Sequence, residues 1–251
     1  MTKKILAYID HFHGKVQPSS WEGLGLAVAI AGDSGGEVAA LVLGDDVGDL
    51  TETAFHYGAD QVFLADDPVL KDFRPEPLAD LVKKAAESYQ PDLVLFPTTT
   101  RGRTLAGMAA VDLNTGVMVD VIDLDWSGDD IVATRPIYAG KLLAKLVCST
   151  TPQIITLRTR AFDKQEPDTG RSGSVTPLEV GLDAGAVATT VNSIQEKAEG
   201  VSLSDASVIV SGGRGVALNP NLEAPGDLDE EAADIWKAEQ GYALVKALAD
   251  L

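Results

Sequence analysis

The sequence predicts an α/β fold built on a doubly wound, mostly parallel sheet. Short apolar runs alternate with amphipathic segments of helical period from residue 5 to about residue 113. After Gly116 the period changes to that of an appended β-hairpin. At residues 207–216 a strand-like run leads into a glycine-rich loop. These three observations together indicate a nucleotide-binding-like domain with a hairpin, followed by the start of a second, Rossmann-like domain.

The amino-terminal half alternates strands and helices. Four strands are expected, at Ile5–Ile9, Val38–Leu43, Gln61–Leu64 and Leu93–Phe96. Three helices are expected between them. The first begins at a capping box formed by Ser19 and Glu22, the second covers Val47–Tyr57, and the third runs from Pro77 to about Tyr89. Strands that alternate with helices of this length indicate a parallel sheet.

The segment after the fourth strand is a candidate binding segment. Arg101 and Arg103 lie between the carboxyl end of that strand and a helix expected over Leu105–Leu113. Open α/β sheets bind ligands at the carboxyl ends of their strands, so both arginines are candidates to contact an anion or a partner protein. Two solvated arginines in a loop explain this segment equally well.

The next part of the chain is expected to be extended. Strands at Val117–Leu124 and Ile131–Pro136, joined by a turn at residues 127–130, form the predicted hairpin. Further extended runs are Leu142–Val147 and Ile154–Leu157, and an edge strand is expected at Pro177–Leu182. The polar stretch from Asp163 to Ser174 reads as a loop.

The glycine-rich loop is the main candidate site. A buried strand is expected over Val208–Ser211, and the residues expected to face a phosphate group are Ser211, Gly212, Gly213, Arg214 and Gly215. Glycines let backbone amides approach an anion, and an arginine offers a planar set of donors that matches phosphate oxygens. An ordinary strand-to-helix turn with a solvated arginine is the alternative, since the run is neither the full dinucleotide fingerprint nor a Walker loop.

Composition narrows the functional class. The 251 residues are 45% hydrophobic, which describes a protein with a core, and the longest apolar runs are shorter than a membrane span. The net charge of −18 argues against binding to nucleic acid or anionic membranes. One cysteine, Cys148, and three histidines favour neither disulfides nor a metal site. The start Met-Thr-Lys-Lys is not a signal peptide, so bacterial or archaeal cytoplasm is expected.

Three stretches, in order, resemble the α subunit of electron transfer flavoprotein. Val94–Val121 carries Gly102-Arg103 before a helix and Leu113-Asn114-Thr115-Gly116 after it. Ala133–Phe162 carries Thr134-Arg135-Pro136-Ile137-Tyr138-Ala139-Gly140-Lys141, then Val147-Cys148, then Pro152-Gln153-Ile154-Ile155-Thr156-Leu157-Arg158. Residues 207–216 contain Val-Ser-Gly-Gly-Arg-Gly. Each motif alone is unspecific, but the ordered set, within residues 1–216, is typical of the family.

The resemblance implies an electron carrier rather than an enzyme with its own substrate. Residues 1–203 would be an amino-terminal domain that supports a β subunit, and residues 204–251 the beginning of an FAD-binding domain. The loop of Ser211, Gly212, Gly213, Arg214 and Gly215 would contact FAD, whereas AMP is expected in the β subunit. The heterodimer would pass electrons from flavin dehydrogenases, such as the acyl-CoA dehydrogenases of fatty acid oxidation, to a membrane quinone oxidoreductase. Since the flavin supplies the redox chemistry, neither catalytic residues nor metal ligands are implied.

The carboxyl end departs from the family pattern. Relatives continue beyond the position of Leu251, so most of the FAD site is expected outside these residues. The last helix is expected to begin with Asp227 as N-cap and Glu230 three residues later, after a long linker over Val216–Gly226. Its apolar positions, which include Ile235 and Tyr242, fall on one face.

A second functional class stays open at this point. A nucleotide-binding module of the adenine-nucleotide hydrolase-like or universal-stress type needs no more than the amino-terminal strands and helices. It would require a glycine-rich phosphate loop there, and residues 10–14, Asp-His-Phe-His-Gly, lack the spacing. Its histidines read as loop residues, and Cys148 reads as a buried structural cysteine in an apolar strand.

Overall fold

The computed structural model describes residues 2–126, 130–182, 184–195, 203, 206, 208–217, 219 and 221–251. The chain forms two compact units, residues 1–194 and 195–251. Division into functional domains at residues 1–203 and 204–251 stays a prediction.

The elements of the first unit, in chain order, are β1 (Lys4–Tyr8), β2 (His11–Phe12), β3 (Lys15–Val16), α1 (Pro18–Ser34), β4 (Glu37–Gly44), α2 (Leu50–His56), β5 (Gln61–Asp66), α3 (Pro75–Tyr89), β6 (Leu93–Pro97), α4 (Thr100–Asp112), β7 (Val117–Val121), β8 (Asp123–Asp125), β9 (Val132–Ile137), β10 (Leu142–Leu146), β11 (Gln153–Leu157) and β12 (Ser174–Pro177). Two 3-10 turns lie at Pro68–Leu70 and Ala184–Ala186. The second unit contains α5 (Arg214–Ala217) and α6 (Glu230–Ala249).

The central sheet has the predicted doubly wound, parallel topology. Its seven strands run in the order β12-β5-β4-β1-β6-β11-β7, and every neighbouring pair is parallel. The chain leaves β1 for β4 and β5 on one side, and then crosses to β6 on the other side of β1. The sheet therefore changes winding direction between β1 and β6.

Apolar side chains fill both faces of this sheet. Along β1, Ile5 and Ala7 belong to the core layer that includes Leu24 and Ile30 of α1, and the alternate residues Leu6 and Tyr8 belong to the opposite layer. That second layer is completed by α3 and α4, through residues such as Leu81 and Leu105. Alternating side chains on a strand point to opposite faces, so a sheet covered by helices on both sides needs almost continuously apolar strands.

The predicted hairpin is only partly correct. Its turn includes residues 127–129, which lie outside the described residues. β8 before the turn pairs antiparallel with β9 after it, and β10 pairs with β9 to complete a three-stranded sheet. The first half of the expected strand instead forms β7, which pairs parallel with β11. Asp120, with a φ of +61°, lies in a bulge of β7, and its N–H donates to Thr156 Oγ1 at 2.9 Å. The change of sheet follows Val121, because the Ile122 N–H donates to the Thr134 carbonyl of β9 at 2.9 Å.

The capping box at the start of α1 was wrong. The N-cap is Gln17, and Pro18 at the first helical position has the fixed φ that a helix requires. The Ser20 hydroxyl accepts from the Asp10 N–H at 2.9 Å, and a Glu22 carboxylate oxygen accepts from the Arg160 N–H at 2.7 Å. Thus Glu22, which was expected to cap its own helix, holds another segment instead, as does the neighbouring Ser20.

The expected edge strand is shifted toward the amino terminus. It covers Ser174–Pro177 and pairs with β5. The Leu178 N–H still donates to the Leu64 carbonyl at 2.7 Å, but the strand ends at Pro177. Proline has no N–H to continue a ladder and is tolerated at such an edge.

The second unit differs more from the sequence-based expectation. Residues 208–211 form no strand, and Val208 and Ile209 are exposed. The expected last helix is present as α6, but its N-cap is Asp229, whose side chain accepts from the Ala232 N–H at 2.8 Å, and not Asp227. Ile235 and Tyr242 are exposed on it.

Two glycines of α4 provide a matched stability test. A Cβ at Gly102 would overlap the Pro97 carbonyl, whereas a Cβ at Gly107 would meet nothing within 4 Å. We expect Gly102→Ala to lower the free energy of unfolding by about 1–3 kcal/mol, because the first turn of α4 must move away from β6. Gly107→Ala should raise it by about 0.5–1 kcal/mol. Urea titrations measure both, and equal effects would contradict the close approach at Gly102.

Candidate functional site

A crevice opens where the sheet changes winding direction. The loop after β1 and the turn between β6 and α4 leave adjacent strands and diverge. In open α/β sheets this is where ligands bind. The residues that follow β1 and β6 are therefore the ones whose chemistry matters here.

Asp10 lies at the bottom of this crevice. Its side chain is fully buried, and its backbone is held by α1, because the N–H donates to Ser20 Oγ and the carbonyl accepts from the Gln17 N–H at 2.8 Å. Carboxylate oxygen Oδ1 accepts from Arg101 Nε at 2.7 Å. The other oxygen, Oδ2, is buried without a hydrogen-bond partner among the residues that the structure describes.

Arg101 reaches Asp10 from the first turn of α4. The helix is capped by Thr99, whose Oγ1 accepts from the Gly102 N–H at 2.9 Å. The guanidinium also lies over the Phe12 ring, 5.6 Å from its centroid. A cavity of about 270 Å³ is lined by five residues, Asp10, Gln17, Thr99, Thr100 and Arg101. The structure thus places the predicted candidate Arg101 in the crevice, where it pairs with the buried carboxylate of Asp10. The second candidate, Arg103, is exposed.

His11 follows Asp10 and closes another side of the crevice. Its Nε2 lies 2.8 Å from the Leu43 carbonyl, and its Nδ1 accepts from the Gly14 N–H at 3.3 Å. These partners fit the neutral ring with the proton on Nε2. Burial lowers the pKa of His11, while the hydrogen bond to Leu43 acts in the opposite direction. Among the described residues, no group of three or more His, Cys, Asp or Glu side chains could hold a metal ion.

The predicted glycine loop lies in the second unit. Ser211, Gly213, Arg214 and Gly215 are exposed, and Arg214 begins the four-residue helix α5. A Cβ at Gly213 or Gly215 would meet nothing within 4 Å, whereas one at Gly212 would lie 2.7 Å from Val245 Cγ2 of α6. Gly212 thus serves helix packing, and the backbone at Gly213 and Gly215 is open to a ligand. None of these glycines has a positive φ.

Residues 5–183 match the electron transfer flavoprotein domain. The chain belongs to the electron transfer flavoprotein family. This confirms the resemblance found in the sequence. The family match covers β1 through β12 and so includes the whole central sheet and the three-stranded sheet.

Several relatives are about a third identical to this chain over the residues that align. The electron transfer flavoprotein subunit alpha of Bacillus subtilis is 34% identical over 232 residues, which are 92% of this chain and 70% of the relative. The lactate dehydrogenase (NAD(+),ferredoxin) subunit LctC of Acetobacterium woodii is 32% identical over 87% of this chain and 53% of its own length. Protein FixB of Azorhizobium caulinodans is 31% identical over 95% of this chain and 66% of its own length. The chain thus spans between about half and 70% of the length of these relatives.

The family motif around Tyr138 forms a tight turn. Tyr138, Ala139 and Gly140 have positive φ values of 50°, 54° and 83°, and they connect β9 to β10. Tyr138 is 75% exposed at the tip. The electron transfer flavoprotein chain therefore presents this motif to the surface rather than to its core.

Cys148 does not lie in a buried strand, as the sequence suggested. It follows β10 and is half-buried, with Sγ 3.2 Å from Thr150 Oγ1. Burial raises its pKa, but hydrogen bonds with Thr150, Gly116 and Thr115 act in the other direction and leave the pKa below its usual value. The apolar run Leu146-Val147 suggested a strand that includes Cys148, but the strand in the fold ends at Leu146.

Sequence reasoning missed Asp10 and Thr99 as site residues. Residues 10–14 lack the spacing of a phosphate loop, so the sequence pattern gives Asp10 no role in a site. A useful signal was present, since Asp10 directly follows a buried strand and therefore must lie at the carboxyl edge of the sheet. Its ion pair with Arg101 joins residues 91 positions apart and needs the sheet order.

The described part of the chain has no helix long and apolar enough to cross a membrane.

His11 should make stability depend on pH. Because its pKa in the folded protein is below the usual value of about 6.5, the unfolded chain binds the proton more readily. The stabilising contribution is fully present above about pH 6.5, and it is lost progressively as the pH falls from that value through the lower pKa of the folded protein. We expect the free energy of unfolding to fall between about pH 7.5 and pH 5.5 less steeply in His11→Gln than in the unsubstituted protein. Urea titrations at both pH values test this, and identical slopes would contradict it.

Proposed function

We propose that this chain is an electron carrier subunit that works with a β subunit and FAD. The heterodimer accepts electrons from flavin dehydrogenases, acyl-CoA dehydrogenases among them, and delivers them to a membrane quinone oxidoreductase. The observation that carries the proposal is the family match over residues 5–183 together with the α-subunit relatives. We place the heterodimer in bacterial or archaeal cytoplasm, with AMP in the β subunit, and residues 1–203 as the β-subunit-binding domain.

The glycine loop is compatible with a flavin phosphate. Open space around Gly213 and Gly215 leaves the backbone accessible, and Ser211 and Arg214 are exposed beside it. We infer that Arg214 donates to FAD, that Ser211 contributes its hydroxyl, and that Gly212, Gly213 and Gly215 keep the loop narrow. Bound FAD would supply the redox chemistry, and these residues would bind and orient it. Residues 204–251 are then the start of the FAD-binding domain.

The three-stranded sheet is the proposed surface for the β subunit. Leu142 and Leu143 of β10 are 55% and 64% exposed, and Tyr138 and Val147 beside this strand are also exposed. Leu143 pairs with Pro136 across the ladder and lies three residues from Leu146, so its side chain points to the opposite face of β10 from Leu146, which packs against the core. Leu142, the first residue of the strand, points to the same face as Leu146. Exposed apolar side chains that lie close together are typical of surfaces that bind another protein.

Co-expression with the β subunit should yield a 1:1 heterodimer. We expect Leu143→Glu to weaken the complex by about tenfold or more, since it places a charge in an apolar interface. Val175→Glu is the matched control, because Val175 is also exposed but lies on β12, at the opposite edge of the central sheet. Light scattering and sedimentation measure the assembly. A chain that stays monomeric with excess β subunit, or equal effects of the two substitutions, would refute this interface.

FAD binding by the natural heterodimer tests Arg214 directly. Arg214→Ala should weaken FAD binding by about 1.5–3 kcal/mol, the range of a charge-assisted hydrogen bond, and Arg214→Lys should restore it partly. Flavin absorbance during titration reports the affinity, and its bleaching by a flavin dehydrogenase with substrate reports electron transfer. An unchanged affinity of Arg214→Ala for FAD would show that the Arg214 side chain is solvated and does not contact FAD. A heterodimer without flavin would refute the function itself.

A further inference from the structure

We propose that Arg103, Arg135 and Arg158 form a basic surface that binds an acidic segment of the β subunit. These three residues, called the arginine cluster below, come from α4, β9 and the residue after β11. The inference rests on the proposed heterodimer and adds the chemistry of the partner surface, which presents Asp or Glu side chains to the guanidinium groups. It does not depend on the proposed role of the glycine loop in binding FAD.

Arg158 fixes the position of the arginine cluster. Its Nε donates to Asp120 Oδ1 of β7 at 2.9 Å, and its Nη2 donates to the other carboxylate oxygen. Its backbone is held as well, since the Arg158 N–H donates to the Val121 carbonyl at 2.9 Å. The Arg158 side chain is nevertheless 47% exposed. A guanidinium has five N–H donors, so Arg158 keeps donors for a second carboxylate that approaches from the surface.

Arg135 approaches the same carboxylate from the three-stranded sheet. It follows Thr134 of β9, whose carbonyl accepts from the Ile122 N–H at 2.9 Å. Ile122 lies two residues after Asp120, so this backbone hydrogen bond brings Arg135 to the end of β7 at which Asp120 lies. The Arg135 side chain is partly buried and forms no ion pair with a residue that the structure describes.

Arg103 approaches from the first turn of α4. The chain just before this helix is tied to β11, because the Thr98 N–H donates at 2.8 Å to the carbonyl of the last residue of that strand. Arg103 is exposed and, like Arg135, has no ion-pair partner in the described part of the chain. The hydrogen bond from Arg158 lowers the pKa of Asp120, and the positive charges of all three arginines act in the same direction. The cluster therefore converges on one carboxylate.

The arginine cluster keeps an excess of positive charge on an acidic protein. Three guanidinium groups meet the single carboxylate of Asp120. In the sequence, residues 101–164 contain eight of the 20 Lys and Arg residues but only seven of the 38 Asp and Glu residues, so the rest of the chain accounts for the whole net charge of −18. Such a surface attracts an acidic group of a partner and speeds its association. A membrane or a nucleic acid would extend beyond the cluster and meet the acidic remainder.

The position of Arg135 favours the β subunit as the partner. On the ladder between β9 and β10, Arg135 pairs with Ala144 and Ile137 pairs with Leu142. Residues opposite each other in a ladder share a face, as do residues two apart in a strand, so Arg135 and Leu142 lie on one face of the three-stranded sheet. Leu142 is 55% exposed and belongs to the surface proposed for the β subunit. An apolar contact bordered by arginines is typical of protein–protein interfaces.

Charge reversal at Arg103 tests this surface without breaking the ion pair of Arg158. In the complex with the β subunit, Arg103→Glu should raise the dissociation constant about tenfold, mainly through slower association. The matched control is Lys4→Glu, which changes the net charge equally but lies at the amino end of β1, whereas the cluster lies at the carboxyl ends of the strands. Surface plasmon resonance measures both. The difference should shrink between about 0.1 M and 1 M salt, as the Debye length falls from about 10 Å to about 3 Å.

A cross-linking experiment identifies the chemistry of the partner directly. Arg103→Lys keeps the charge and supplies an amine, which a water-soluble carbodiimide joins to a contacting carboxylate as an amide. Mass spectrometry of the treated heterodimer should find residue 103 joined to an Asp or Glu of the β subunit, and Lys4 should give no such product. Replacing that Asp or Glu by Lys should then restore the affinity of the Arg103→Glu variant, because the two charges are exchanged.

Several results would overturn the proposal. It is wrong if Arg103→Glu and Lys4→Glu change the dissociation constant equally, or if residue 103 forms no cross-link with the β subunit. It is also wrong if the chain co-sediments with phosphatidylglycerol vesicles and Arg103→Glu abolishes this, since the cluster then binds a membrane. A heterodimer that forms normally with Arg103→Glu refutes this inference alone. If the unsubstituted chain forms no heterodimer, the proposed function is wrong, and this inference with it.

Discussion

The burial of the parallel sheet on both faces is the constraint on which the rest of the first unit depends. Ile5 and Leu6, adjacent on β1, each lie in a different core layer with no exposed surface. With both faces apolar, polar chemistry is confined to the ends of the strands. Asp10 is the first residue beyond Ile9 at the carboxyl end, and its burial is tolerated because Arg101 pairs with it and α1 holds its backbone.

The same constraint explains why α4 begins where it does. Pro97 ends β6, Thr99 caps the helix, and Gly102 lets the first turn lie against the Pro97 carbonyl. This close approach brings Arg101 to the loop that follows β1. A side chain at residue 102 would push the turn outward and lengthen the contact between Arg101 and Asp10. The crevice is therefore a consequence of local packing as much as of sheet order.

The three-stranded sheet begins where the strand expected over Val117–Leu124 divides between two sheets. Asp120 adopts a left-handed conformation, and Arg158 donates to its carboxylate from Nε at 2.9 Å. That hydrogen bond lowers the pKa of Asp120. β7 stays in the parallel sheet through Val121, which pairs with Leu157, and β8 starts the antiparallel sheet after Ile122, whose N–H donates to the Thr134 carbonyl. The outcome is an apolar surface on β10 that the central sheet does not cover.

The sequence by itself determined the alternation of strands and helices, the family, and the position of the glycine loop, because these depend on local periodicity and residue type. It did not determine that the strand expected over Val117–Leu124 divides at Ile122, that Ser20 and Glu22 bind other segments, or that Val208 and Ile209 are exposed. It also did not place Asp10 against Arg101. Each of these depends on contacts between residues far apart in the chain, and the order of strands in the sheet decides which distant side chains meet. Local pattern therefore gave the architecture, and only tertiary packing assembled the crevice.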